Sequence, residues 1–159
     1  MPMTTEQEQL FHAARTGDTE TLGLLIEQGV GVNCQDIKGY TPLIIASYND
    51  QLESVRLLLE ANADVNRQDT GGNTALMGVC FKGYPAIAEL LIAAGADLNI
   101  QHANGGTALM FAVLFGRDEL VRIVMQHGAD TSVKENRGMT AIDLAVQQGN
   151  VKAMELMLE

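Results

Sequence analysis

Aromatic residues are scarce in this chain: tryptophan is absent, and the 159 residues hold only four phenylalanines and three tyrosines. A core without aromatics must be assembled from Leu, Ile, Val, Ala and Met, which suits packed helices. Cysteine is rarer still. Cys34 and Cys80 are the only two, too few for a disulfide framework, and a reduced, cytoplasmic setting is the simpler expectation. Basic residues are outnumbered, with 10 Lys and Arg against 20 Asp and Glu, for a formal charge of −10. A surface that acidic repels phosphate and disfavours nucleic acid as a partner. No apolar run approaches the roughly 20 residues of a membrane helix, and the opening MPMTTEQEQL lacks the basic and apolar regions of a secretory signal. What the chain does have is 47% hydrophobic residues with 19% charged, which excludes disorder and leaves one domain, 1–159, of ordinary size.

The apolar residues recur in register. Thr41, Thr74, Thr107 and Thr140 lie 33 residues apart, as do Gly39, Gly72, Gly105 and Gly138. The same interval joins Leu10, Leu43, Leu76, Leu109 and Ile142, and it joins Asn33, Asn66, Asn99 and Ser132. Five units follow, at about 1–37, 38–70, 71–103, 104–136 and 137–159.

Each unit reads as a loop and two helices. Gly39-Tyr40-Thr41-Pro42-Leu43 supplies a turn glycine, a hydroxyl at the N-cap and a proline at the first helical position. Gly17, Gly83, Gly116 and Gly149 end first helices, with Asn49-Asp50 standing in for the glycine of unit two and able to take the left-handed turn. Second helices carry apolar residues such as Val55, Leu57, Leu58 and Leu59, and Asx- and Gly-rich segments link the units. One such unit cannot bury its own apolar face, so the units must stack.

These motifs resemble ankyrin repeats. The family's Gly-x-Thr-Pro-Leu stands complete at Gly39 to Leu43, and its Gly-Ala-Asp-Val-Asn appears with one or two changes at Asn62 to Asn66, Gly95 to Asn99 and Gly128 to Ser132. The resemblance spans essentially the whole chain. It implies an all-α solenoid of five stacked helix-turn-helix units with β-hairpin-like loops. The family's usual histidine after Thr-Pro-Leu is replaced by Phe11, Ile44, Met77, Met110 and Asp143, so apolar packing is expected in place of a Thr–His network. Polar residues at both ends, among them Glu6, Gln7, Gln9, Lys152 and Glu155, suit caps of a complete small repeat protein that is monomeric.

Catalytic chemistry finds little support. His12, His102 and His127 fall in different units and different columns, with His12 expected in a packed column beside Ile45 and Phe111. Gly71-Gly72 and Gly105-Gly106 precede threonine caps without the Gly-Lys-Ser/Thr of a phosphate loop. Cys80 falls in a small, buried helix column, Cys34 in a hairpin, and the methionines Met77, Met110, Met154 and Met157 in core columns. No enzyme activity, cofactor or metal site is expected.

Binding is the stronger expectation, and it implies a protein partner. In ankyrin proteins partners meet the hairpin tips and the exposed side of the first helices, a surface that forms the concave face. Carried onto this sequence column by column, that face holds Arg15, Lys38, Tyr40, Tyr48, Asn49, Phe81, Lys82, Leu114, Phe115 and Arg137, joined by Ile37, Thr70, Asn73, Asn104, Met139, Gln147 and Gln148. Tyr48, Phe81 and Leu114 share one column, so stacking should align them. Large rings beside Arg or Lys have the composition of an interface hot spot. The set includes no acid, so a mildly basic, aromatic face is expected, with the acidity on second helices and in turns. A general interaction module fits this pattern, and a small inhibitor or immunity-type protein blocking one enzyme or toxin is the alternative.

Overall fold

The structure is a computed structural model and describes residues 2–159. Among the described residues run ten helices and no strand: α1 (Thr5–Thr16), α2 (Thr19–Glu27), α3 (Pro42–Tyr48), α4 (Leu52–Glu60), α5 (Ala75–Lys82), α6 (Pro85–Ala93), α7 (Ala108–Leu114), α8 (Asp118–Gln126), α9 (Ala141–Gln148) and α10 (Val151–Leu158). Each odd helix pairs with the even helix after it. The odd helices pack on one another in chain order as one layer, and the even helices do so as a second, giving a helical solenoid.

Local chemistry sets where the first helices begin. Thr41, Thr74, Thr107 and Thr140 are extended N-caps whose hydroxyls accept from the amides of Ile44, Met77, Met110 and Asp143 at 3.1, 3.2, 3.3 and 3.1 Å. Each such cap contributes about 1 kcal/mol. At the end of α3 the chain turns left-handed at Asp50 (φ 57°), the residue standing where other units use glycine. The position that carries histidine in the family's pattern is filled by buried Phe11, Met77 and Met110, with Ile44 half-buried. Exposed Asp143 instead accepts from the Thr140 amide at 3.0 Å.

Stacking is what buries the core. Leu10, Leu43, Leu76 and Leu109 are at most 1% exposed, and Leu58 and Leu91 face them from the second layer at 0%. Val113 is fully buried between neighbours, whereas Val146, in the same column of the last unit, is 60% exposed. Burying a valine is worth roughly 1.5–3 kcal/mol, so this column contributes only where another unit covers it.

The loops have hairpin hydrogen bonds without forming a ladder. Asp36, Asp69, His102 and Glu135 donate their amides to the carbonyls of Tyr40, Asn73, Gly106 and Met139 at 2.9–3.0 Å. Consecutive loops are tied by Thr70 N–H to Lys38 O (3.0 Å), Ala103 N–H to Gly71 O (2.9 Å) and Asn136 N–H to Asn104 O (2.9 Å). Gln35, Gln68 and Gln101 each bridge two loops, their Nε2 donating to a carbonyl of their own hairpin and to one a repeat further on. These backbones approach so closely that a Cβ on Gly39 (φ 77°) would lie 2.7 Å from the Thr70 nitrogen. The result is a platform of linked loops beside the first-helix layer.

Candidate binding face

The last turns of α3, α5 and α7 carry one residue each that lines a hollow shared with the loops: Tyr48, Phe81 and Leu114. The rings interlock across units. Tyr48 and Phe81 lie parallel with centroids 6.2 Å apart, Phe81 meets Phe115 edge to face at 4.5 Å, and Phe115 lies near-parallel to Phe111 at 6.5 Å. Such pairs add about 0.5–1.5 kcal/mol beyond the area they bury. The row nevertheless stays open to solvent. Tyr48 is 43% exposed, Leu114 37% and Phe115 48%, while Phe81 is half-buried among its neighbours. Lys82 extends over the Tyr48 ring with its Nζ 5.0 Å from the centroid.

Two hollows open between these helices and the loops. The first, about 390 Å³, has Ile45 and Met77 at its buried base and Tyr40, Tyr48, Phe81 and Phe111 around it. Its lining includes Gly78, mid-helix in a column that carries His12, Ile45, Phe111 and Leu144 in the other units. A Cβ built on Gly78 would touch only Tyr48 Cδ1, at 3.4 Å. The second hollow, about 380 Å³, lies two units on, with Met110, Leu114 and Leu144 at its apolar side and Glu135, Asn136 and Arg137 from the loop.

The charge pattern differs from the acid-free, mildly basic face expected of the sequence. Asp69 lines the first hollow and Glu135 the second. The turn bonding that explains these acids also brings them here. Oδ1 of Asp69 accepts from the amides of Gly71 and Asn73 at 2.9 Å, and Oε1 of Glu135 accepts from those of Arg137 (2.7 Å) and Met139 (3.1 Å), closing each loop on itself. Arg137 is not a free cation, because its Nε lies 2.8 Å from Glu135 Oε2. That guanidinium, with the Met139 amide, holds the Glu135 carboxyl below its ordinary range.

The remaining sequence-selected residues divide. Tyr40 is half-buried in the first hollow, while Arg15 and Lys38 are exposed and line neither hollow. Asn49 is exposed, but its Nδ2 donates to Ile45 O at 2.8 Å, so the side chain finishes α3. Gly78 and Asp69 were not among the selected residues. The signal for Gly78 was visible as a glycine in an otherwise bulky column.

Reactive groups are not gathered here. His12 is exposed, not packed, whereas its column-mate Ile45 is buried on α3, the helix that α1 packs against. His102 Nδ1 accepts from the Gly106 amide at 3.0 Å, with its ring against Phe111, and His127 ends α8 with Nε2 3.3 Å from Glu89 Oε2. Burial pushes the Cys80 thiol up to about 12 and also raises that of half-buried Cys34. Among the described residues no group of three His, Cys, Asp or Glu could hold a metal, and no helix is long and apolar enough to cross a membrane.

A family model described as ankyrin repeats, in three copies, matches residues 10–102 and 76–159. No curated protein matches the chain.

Proposed function

We infer that this chain, which belongs to the ankyrin-repeat family, binds a protein partner on the face formed by its first helices and hairpin loops. Ankyrin repeats are generally protein–protein interaction modules and typically non-catalytic. The observation that carries the assignment to this face is the ring row: Phe81 in contact with Tyr48 on one side and Phe115 on the other, across three units, with Tyr48 and Phe115 more than two-fifths exposed. Aromatic side chains bring large contact area at little cost in rotamer freedom, and rings already braced by neighbours lose less on docking. The linked loops hold the polar groups beside the row in fixed positions, which favours a defined partner over loose adhesion. The outer, second-helix layer carries Glu27, Glu53, Glu60, Glu89 and Glu119, exposed and solvated.

The test is a double substitution, Phe81→Ala with Phe115→Ala. Captured partner should bind more weakly by more than about 1–2 kcal/mol. Circular dichroism should show the helices intact, since the core leucines are untouched. Equal binding by the folded double variant would remove the assignment of this face.

A further inference from the structure

Asp69 and Glu135 occupy the same column of the repeat, and their second carboxylate oxygens meet different partners. Both give one carboxylate oxygen to the amides two and four residues on. In Glu135 the second oxygen receives the guanidinium of Arg137, Nε to Oε2 at 2.8 Å. In Asp69 the residue in the place of Arg137 is Gly71, and the second oxygen, Oδ2, meets only the Asn73 carboxamide at 3.4 Å. No cation of the described residues pairs with it. Beside this half-used carboxylate lies the 390 Å³ hollow, where Asp69 is the one formally charged residue of the lining.

We propose that the hollow between units two and three is a receptor for one arginine side chain of the partner, with Asp69 Oδ2 as its counter-ion. The inference rests on the partner-face reading above and adds the chemistry that the partner must present. An arginine fits each part of the hollow. Its methylene stem lies along Ile45 and Met77, its planar guanidinium stacks against an aromatic wall, and its N–H groups reach Asp69 as Arg137 reaches Glu135. Lysine is the poorer occupant, because a point ammonium cannot both stack flat and donate sideways. A purely apolar side chain would fill the hollow and give the Asp69 carboxylate no donor beyond those of its own loop. Gly78 lines the hollow with no side chain of its own to fill it.

The experiment titrates the full chain, followed by amide NMR, with the capped tripeptides acetyl-Gly-Arg-Gly-amide, acetyl-Gly-Lys-Gly-amide, acetyl-Gly-Leu-Gly-amide and acetyl-Gly-Phe-Gly-amide. The arginine peptide should shift the amides of Gly71, Asn73 and Gly78 saturably, with a dissociation constant on the order of millimolar. Asp69→Asn keeps an oxygen for the Gly71 and Asn73 amides while removing the charge, and should weaken that peptide by about three- to tenfold. Gly78→Leu, which restores the column's usual bulk, should abolish the shifts with the spectrum otherwise folded. Arginine binding unchanged in Asp69→Asn, tighter binding of the leucine or phenylalanine peptide, or no saturable shift with any peptide would each overturn the proposal. Loss of captured partner in the Phe81/Phe115 double variant but not in Asp69→Asn would sink this proposal alone. Retention in both would remove the face as well.

Discussion

Replacing Gly78 by alanine should stabilise the protein, although it adds an atom to a packed helix junction. Gly78 lies in the middle of α5, where glycine costs about 1 kcal/mol relative to alanine. Its backbone is ordinary helix, so the new Cβ meets no left-handed strain, and its single near neighbour is Tyr48 Cδ1 at 3.4 Å. Tyr48 is 43% exposed and free to give by a few tenths of an ångström. A gain of about 0.5–1 kcal/mol remains once that small adjustment is subtracted from the propensity term. Gly23 in α2 is the control: nothing lies within 4 Å of its Cβ position, so Gly23→Ala reports propensity alone. Urea unfolding should place both variants above wild type in midpoint with unchanged slope, and melting should rise by about 2–4 °C per kcal/mol. The opposite behaviour of Gly39→Ala supplies the contrast, because there a Cβ would lie 2.7 Å from the Thr70 nitrogen at φ 77°. If Gly78→Ala fell below wild type while Gly23→Ala rose, the hollow beside Tyr48 would be closed and the site geometry wrong.

Asp50→Gly should stabilise by about 0.5–1 kcal/mol, read from the urea midpoint, because it removes a side chain from a left-handed position (φ 57°) where sibling units have glycine. In native protein at pH 8 a disulfide-exchange reagent should label Cys34 slowly and Cys80 only after unfolding, since burial holds the Cys80 thiol protonated up to about 12. The linkage has one sign: the unfolded thiol ionises near 9.0, so stability from Cys80 is full below that pH and lost as pH rises from there toward about 12. Asp18, Asp130, Glu135 and Asp143 have lowered carboxyl pKa values, chiefly through hydrogen bonds with Thr21, Ser132, Arg137 and the Thr140 amide. Their stabilisation is present above the ordinary carboxylate range and fades as pH falls below it, which an acid titration of the melting temperature checks.

The stack was readable in the sequence because each unit solves the same problem with the same residues. Threonine before a helix, glycine after it and leucine at a fixed interval each have a local cause, and the 33-residue recurrence turns local causes into an architecture. The ring row was legible only as a column. That Phe81 meets Phe115 on edge while lying flat to Tyr48 depends on side-chain directions set by neighbouring helices, which no single column encodes. The acids were read correctly as turn formers, since Asp69 Oδ1 does accept two loop amides. Their place beside the hollows followed from the folding of the loop stem, a tertiary fact. His12 shows the reverse error: its column is interior at Ile45, on the helix that α1 packs against, and exposed on α1 itself. The glutamines Gln35, Gln68 and Gln101 recur every 33 residues and could have been read as bridges between loops, but one sequence does not say which carbonyls they reach.

The central claim is that the first-helix and loop face, not the second-helix layer, meets the partner. Hydrogen exchange on the complex tests it most directly, by comparing amide protection with and without bound partner. Protection gained at 37–40, 70–73, 81–83 and 114–116 is the predicted result. Protection gained instead along α4, α6 and α8, with those segments unchanged, would contradict it.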